Sequence, residues 1–237
     1  RVIYPYKPTA SSIDLISLKA IKENFPATYA YLQHYKSILN NPKRDIKPQP
    51  KTSDEWHRYG RHQSLKKCGL PEKIIVGILS VGDKYAIDFH GTLISSGGTA
   101  GYCVIALPQS SPYSIYYIQA LLNSKYLEWY SAMFGEVFRG GYIARGTKVL
   151  KRLPIRKIDF KNKTDKFFHD NIVNIQKSLI QKQGQIDQSQ KDKRTCTKLQ
   201  REFGTLKNEL NNLLMELYDL QNNDSSIPLI KELYEAY

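Results

Sequence analysis

In Lys73-Ile74-Ile75-Val76-Gly77-Ile78-Leu79 the hydrophobic period of the chain changes. Upstream, apolar residues recur at helical spacing; here they crowd into a short β-branched run bounded by turn formers, which reads as a strand. Tyr85, Ile87 and Phe89 then alternate with other residues, and a turn at Gly91 leads into Leu93-Ile94. Ser95–Gly101 is a glycine-rich loop, and Tyr102–Leu107 reads as a further strand. Together these segments predict an antiparallel meander with polar turns.

Helical patterns flank the meander on both sides. Residues 11–41 predict helix, with Leu15, Leu18 and Ile21 on one face and a break at Asn24-Phe25-Pro26, where proline is tolerated in a first turn. Tyr29, Leu32, Tyr35 or Lys36, and Leu39 mark the next face, and residues 42–53 read as a basic, proline-rich loop, either a floppy connector or an ordered, DNA-facing loop. After the meander, Ser114–Phe134 predicts a single helix capped by Ser114 that buries Ile118, Leu121, Leu122, Tyr126 and Trp129. A basic stretch broken by glycines, Arg139-Gly140-Gly141-Tyr142 to Lys148, runs on to Leu153-Pro154-Ile155, a short strand or the exit of the domain. The expected class is α+β.

The C-terminal part has a different pattern. Leu199, Phe203, Leu206, Leu210, Leu213, Leu217 and Leu220 alternate spacings of four and three, the seam of a coiled-coil-like helix. Ile172, Ile175, Leu179 and Ile186 form an earlier stripe, and Asp187–Lys198 is polar enough to be a hinge. Two antiparallel helices would bury both stripes, on each other or on the body of the protein. The expected division is residues 1–160 as one domain and 161–237 as a helical hairpin for packing, assembly or self-association.

Charge follows the same division. The chain of 237 residues carries a formal net charge of +13. Residues 1–160 hold 23 Lys and Arg against 11 Asp and Glu, whereas residues 161–237 hold 12 against 11. A folded, aromatic-rich, basic segment points to nucleic acid, the alternative being a surface charged for solubility. No apolar run approaches the roughly 20 residues of a membrane-spanning helix. Three scattered cysteines (Cys68, Cys103, Cys196) make neither a disulfide framework nor a Cys-x-x-Cys pair, which suits a reducing cytoplasm. The chain opens on Arg1-Val2-Ile3-Tyr4-Pro5 without Met or a signal-peptide pattern and reads as a piece of a longer protein.

Catalytic constellations are scarce. Ser95–Gly101 lacks the Gly-Lys-Ser/Thr ending of a phosphate-binding loop and leads into a strand, not a helix. His57 and His62 stand five residues apart, on different helical faces, with no cysteine pair to complete a metal site. Asp83 and Asp88 fall on opposite sides of one strand, and Asp88 suits ordering the Phe89–Thr92 turn. No glycine-flanked serine nucleophile occurs. No catalytic residue, metal ligand or cofactor is therefore expected in this chain.

Trp56-His57-Arg58-Tyr59-Gly60-Arg61-His62-Gln63 carries side chains that reach base edges, Arg pairing bidentately with guanine and Gln with adenine. Trp56 and Tyr59, at helical i and i+3, would pack inward and aim the polar residues outward; an exposed amphipathic helix is the plainer reading. Arg139, Tyr142, Arg145 and Lys148 lie among glycines that let backbone approach a phosphate. The candidate base readers are Arg58, Arg61, His62 and Gln63, with Ser96 and Thr99 on the meander loop. The candidate phosphate contacts are Lys66, Lys67, Arg139, Tyr142, Arg145 and Lys148.

The order of parts resembles the TaqI-like C-terminal specificity domain, the target-recognition region of fused restriction–modification enzymes and adenine-N6 DNA methyltransferases. The resemblance rests on Phe25-Pro26 through Tyr31-Leu32 and Leu39, on Trp56-His57-Arg58-Tyr59-Gly60-Arg61, and on Lys73-Ile74-Ile75. It continues through Asp88 with Gly91, Tyr117, the Ala120-Leu121-Leu122-Asn123-Ser124-Lys125 run and Leu153-Pro154-Ile155, and covers roughly residues 1–158. The resemblance implies double-stranded DNA as partner and a methyltransferase domain in cis, N-terminal to this chain. That domain would carry S-adenosylmethionine, with magnesium if it also cleaves, and neither its cofactor motif nor its Asn-Pro-Pro-Tyr motif occurs here. Two alternatives stand beside it: a separate specificity subunit acting in trans, and an RNA-binding or hydrolytic domain in which Asp83, Asp88, His57, His62 and His90 would converge.

Overall fold

In the N-terminal segment, Tyr6–Pro8 (β1) and Ile13–Leu15 (β2) pair antiparallel, Tyr6 opposite Leu15. Ile13–Leu15 falls where a helix was expected. Three residues are too few to separate a period of two from one of 3.6, and pairing with β1 makes the choice. Ser17 then starts α1 (Leu18–Asn24), its hydroxyl accepting from the Ala20 N–H at 3.2 Å. Phe25 separates it from α2 (Pro26–His34), where Pro26 occupies the first turn as predicted, and α3 (Lys36–Leu39) follows.

The computed structural model describes residues 2–8, 13–46, 49–60, 69–80, 85–94 and 101–220. The described residues fall into two units, within Arg1–Leu70 plus Gly91–Ser96 and within Pro71–His90 plus Gly97–Tyr237. The first unit is built on Ile21, Leu32 and Trp56, with Ile3, Ile16, Leu18, Tyr29 and Leu39 packed around them. Its expected connector is pinned: Arg44 donates to the carbonyls of Leu39, Trp56 (3.1 Å) and Arg58 (2.9 Å), and Ile46 is buried.

The second unit is built around the β-branched run at Lys73–Gly77. Lys73–Gly77 (β3) continues, after a turn closed by Ser80 Oγ donating to the Gly77 carbonyl at 3.0 Å, into β4 (Leu79–Ser80). β3 pairs antiparallel with both Tyr85–Asp88 (β5) and Tyr102–Ile105 (β6), so that Ile74 faces Ile87 on one side and Ile105 on the other. An antiparallel sheet is present as expected, but not as a meander: the third strand pairs with the first instead of the second, giving the order β5-β3-β6. Ile74 and Val76 are fully buried and put one face of this central strand into the core, while Ile75 on the other face is half-buried.

Helix α4 (Ile115–Leu122) packs against β5 and β3 and is capped as predicted by Ser114, which accepts from the Tyr116 N–H at 3.3 Å. The single helix expected to Phe134 is broken. Asn123 turns its amide onto the backbone of Tyr85, accepting from its N–H (3.2 Å) and donating to its carbonyl (3.0 Å). Ser124 then caps α5 (Lys125–Phe134) through the Leu127 N–H at 3.2 Å. Such residues compete with helical hydrogen bonding and favour a new start. The break rotates the second helix, so Leu127 is fully buried while Tyr126 and Trp129 are half-buried.

Val137–Phe138 (β7) and Tyr142–Ala144 (β8) form a hairpin, β8 also pairing with β4. The four-residue α6 (Thr147–Leu150) follows, then an irregular segment in which Leu153 is buried.

The predicted helical hairpin is present as α7 (Lys163–Gln188) and α8 (Lys193–Leu217), capped by Asn162 and Asp192. Its connection is shorter than the hinge expected over Asp187–Lys198. α7 packs on both α8 and α4, and Ile172 and Leu214 share one core with Ile74, Val76 and Leu121. No unit boundary falls at residue 160. Gln176 donates to Gln119 Oε1 (2.9 Å), and Gln119 in turn donates to the Tyr85 carbonyl (2.7 Å), joining tail, helix and sheet. Of the seam residues Leu210 and Leu217 are buried, but the most buried leucine of α8 is Leu214, outside the seam. The helix meets more than one surface, and its apolar stripe is wider than a coiled-coil seam.

Candidate nucleic-acid interface

In the first unit, a single turn of 3-10 helix at Ser53–Glu55 leads into Trp56-His57-Arg58-Tyr59-Gly60, which is a tight turn and not the expected amphipathic helix. Trp56 is buried as predicted. The two residues after it are buried as well, which the helical reading did not foresee. The His57 ring lies between the carbonyls of Ile16 (2.8 Å) and Asp54 (3.2 Å). Arg58 pairs with Glu55 at 2.5 Å and donates to the Gln49 carbonyl at 3.3 Å. Arg58 is therefore held inside the fold, a correction to its expected place at a base edge: it is buried and paired with Glu55, although its Nε finds no hydrogen-bond partner among the described residues.

Tyr59 closes the turn. Its hydroxyl donates to the Ile3 carbonyl (2.6 Å), and its N–H donates to the Tyr6 hydroxyl (2.7 Å). Burial pushes both phenols above their ordinary pKa of 10. The turn is thus a rigid platform, with Arg61 next but one after its last tyrosine in the sequence. Arg61, His62, Gln63, Lys66, Lys67, Ser96 and Thr99 lie outside the described residues. Around the platform Lys19, Lys22, Lys36, Lys43 and Lys51 are exposed, and Lys36 Nζ stands 5.7 Å from the Trp56 ring centre.

In the second unit, the expected phosphate residues separate into two kinds. Arg139 and Tyr142 on the hairpin and Lys148 on α6 are exposed. Arg145 is not: its side chain is fully buried, paired with Glu128 of α5, and donates to Ser80 (carbonyl 2.5 Å, hydroxyl 2.9 Å) and to the Ile143 carbonyl (3.1 Å). Its place as a phosphate contact is corrected accordingly. The pairing with Glu128 and the two bonds to Ser80 fix β8 against α5 and β4, and that leaves the other cations of the stretch on a rigid mount.

Between Val137 and Ile158 seven Lys and Arg occur and no Asp or Glu. Lys151, Arg152, Arg156 and Lys157, which the sequence reading passed over, are exposed with Arg139 and Lys148. An acid-free run of that length was visible in the sequence and would have found them. Arg156 lies 3.8 Å from Asp165, and the carbonyls of Arg156 and Pro154 accept from the hydroxyls of Tyr117 and Tyr218, each at 2.8 Å. Burial pushes the Tyr218 phenol up to about 12, and Tyr117 is raised in the same direction.

The profile of the TaqI-like C-terminal specificity domain matches residues 19–155. The chain belongs to this family. The match takes in the first unit from Lys19 onward, the central sheet, both helices after it and the hairpin with its cationic run as far as Ile155. The chain is also similar to the type II restriction enzyme and methyltransferase RM.Eco57I of Escherichia coli, with 46% identity over 234 residues. That alignment takes in 99% of this chain and 23% of the relative, so the chain spans about a quarter of that protein's length.

Among the described residues no three His, Cys, Asp or Glu come together as a metal site. Of the five residues that would have converged in a hydrolytic site, Asp83 and His62 lie outside the described residues. His57 is closed in by carbonyls, and Asp88 pairs with Lys73 while accepting from the His90 N–H at 3.1 Å. Asp88 thus has the turn-ordering place expected of it. No helix of the described chain is long and apolar enough to cross a membrane.

Proposed function

We propose that this chain selects the DNA target for a methyltransferase and restriction endonuclease of which it is the specificity region. The observation that carries the reading is the acid-free cationic run from Arg139 to Lys157 within a specificity-domain family, with its one buried member, Arg145, bracing the exposed ones. Exposed guanidinium and ammonium groups neutralise phosphates and set register, the sequence-independent part of binding. Arg139, Tyr142, Lys148, Lys151 and Arg152 take that part in the second unit, with Lys66 and Lys67 in the first. Sequence is read by Arg61, His62 and Gln63, which follow the platform of Trp56–Gly60, and by Ser96 and Thr99.

Methyl transfer from S-adenosylmethionine, and magnesium-dependent cleavage where it occurs, belong to a catalytic region joined to this one in a single polypeptide. Alignment of 99% of the chain within one longer relative supports that cis arrangement over a subunit acting in trans.

The chain should bind duplex DNA with a steep salt dependence, log affinity falling by about 0.9 per log unit of salt for each neutralised phosphate. Lys148→Ala should lower the slope by about one and weaken cognate and random duplex alike. Arg61→Ala should instead erode the preference for the cognate site, a bidentate guanine contact being worth roughly 1–3 kcal/mol of discrimination. Equal affinity at 50 and 300 mM salt would refute the electrostatic basis. An unchanged cognate-to-random ratio in a folded Arg61→Ala protein would remove that residue from the readers.

A further inference from the structure

Exposed aromatic residues on a rigid basic mount are the feature of the second unit that phosphate binding leaves unexplained. Phe138 and Tyr142 are direct cross-strand partners in the β7–β8 hairpin, so both side chains project from one face. They are 38% and 45% exposed. The other face lies on the end of α5, where a Cβ added to Gly135 would stand 2.6 Å from Ile143 Cγ2 and 2.9 Å from the Ala144 carbonyl oxygen. Arg139 is followed by Gly140 and Gly141, whose φ values of +83° and +74° let the loop turn without side chains. The Tyr142 ring lies 3.6 Å from where a Cβ on Gly140 would be. The tip therefore offers two aromatic surfaces and one guanidinium, thinly built and braced from behind by Arg145.

Solvent-exposed large apolar groups on a fixed element mark a contact surface. The surrounding charge says what kind: cations at Arg139, Lys148, Lys151 and Arg152, and the only neighbouring carboxylate in sequence, Glu136, at the foot of the hairpin away from its tip. A polyanion that presents flat apolar rings satisfies both halves of this surface. Nucleobases do so once they are unstacked, and a two-stranded ribbon is narrow enough to enter a groove.

We propose that Phe138 and Tyr142 form a stacking element that enters DNA at a disrupted base step and lies against an exposed nucleobase, while Arg139 and Lys148 hold the flanking phosphates. The proposal rests on the reading of the chain as a DNA specificity domain and deepens it: the hairpin would recognise an opened duplex as well as a sequence.

The test uses the full chain and two duplexes of one sequence, fully paired or carrying a single abasic position opposite 2-aminopurine. Opening the stack is already done in the second duplex, so a stacking element binds it more tightly. The chain should prefer it by about tenfold, the scale of one base–aromatic stack, and should quench the 2-aminopurine fluorescence. Phe138→Ala/Tyr142→Ala should abolish preference and quench; Phe138→Ala alone, which spares the Tyr142 contact, should lose most of both while keeping affinity for the paired duplex within about threefold, and Phe138→Trp should retain both. Should the alanine pair fold poorly, Phe138→Leu/Tyr142→Leu keeps the apolar bulk without the flat ring and should lose the quench all the same. No preference in the parent chain, or a preference that survives both double variants, overturns the stacking element and leaves DNA recognition standing. A double variant that binds both duplexes like the parent would assign the aromatic face to a protein partner and likewise overturn it. If neither duplex is bound at any salt, the specificity reading falls with it.

Discussion

The Trp56–Gly60 turn of the first unit and the β7–β8 hairpin of the second solve one problem in two ways. Each belongs to a basic stretch, and each turns one arginine inward. In the turn, Arg58 pairs with Glu55, three residues before it, at a site where the partner side chain keeps 23% exposure. In the hairpin, Arg145 pairs with Glu128 of another element and is itself fully buried. The local pair shapes a loop, whereas the long-range pair fixes a strand to a helix. Cation-rich sequence is thus not all free surface: some of the charge is framework that holds the rest in place.

The comparison can be broken most directly at the buried pair. Arg145→Ala strands the Glu128 carboxylate and should cost about 3–5 kcal/mol of stability, read by denaturant unfolding. Arg58→Ala leaves Glu55 able to rehydrate and should cost about 1–2 kcal/mol. Equal losses would erase the distinction between framework and local pairs. Replacing both members, Arg145→Met with Glu128→Leu, should restore most of the stability, since a buried ion pair is weak evidence for net stabilisation.

A smaller effect sharpens the same contrast. Gly135→Ala places a methyl into the Ile143 and Ala144 contacts and should cost about 1–3 kcal/mol by forcing the hairpin off α5. At the tip, a Cβ on Gly140 would meet nothing nearer than the Tyr142 ring at 3.6 Å, so Gly140 matters through its φ and not through crowding. Wild-type stability in Gly135→Ala would mean that the hairpin is less firmly mounted than its contacts imply.

The smallest effect is alkaline. Tyr6 and Tyr59 in the first unit, and Tyr117 and Tyr218 in the second, are held neutral by burial above their ordinary pKa of 10, Tyr218 up to about 12. Between pH 10 and 12 the unfolded chain loses these protons while the native chain retains them, so stability must fall as pH rises through that window. Below pH 10 the stabilisation is complete. Denaturant midpoints at pH 9 and pH 11 should show the fall. Tyr218→Phe, which removes the bond to the Pro154 carbonyl, should reduce the difference.

Much of the architecture was legible because its cause is local. Ser114 caps a helix with its own hydroxyl, Pro26 begins one because it lacks an N–H, and Ile74-Ile75-Val76 is β-branched and apolar on both faces. These properties travel with the residue and its near neighbours. The acid-free cationic run and the leucine-rich final helix were legible for the same reason.

What the sequence could not carry were choices between partners far apart along the chain. Residues 13–15 became a strand because Tyr6–Pro8 lies beside them, and the helix after Ser114 broke because Asn123 reaches Tyr85. The helical hairpin joined the sheet's core instead of standing apart, because Ile172 and Leu214 found Ile74 and Leu121. Whether an arginine faces solvent or a carboxylate was settled the same way, since the spacing around Arg139 and Arg145 is alike in kind. Sequence by itself determined which residues could be strand, cap, helix and cation; tertiary structure decided which cations remained outside. The physical reason is desolvation: a guanidinium is buried only where a carboxylate and carbonyls converge on it, and that convergence exists only once the chain has folded.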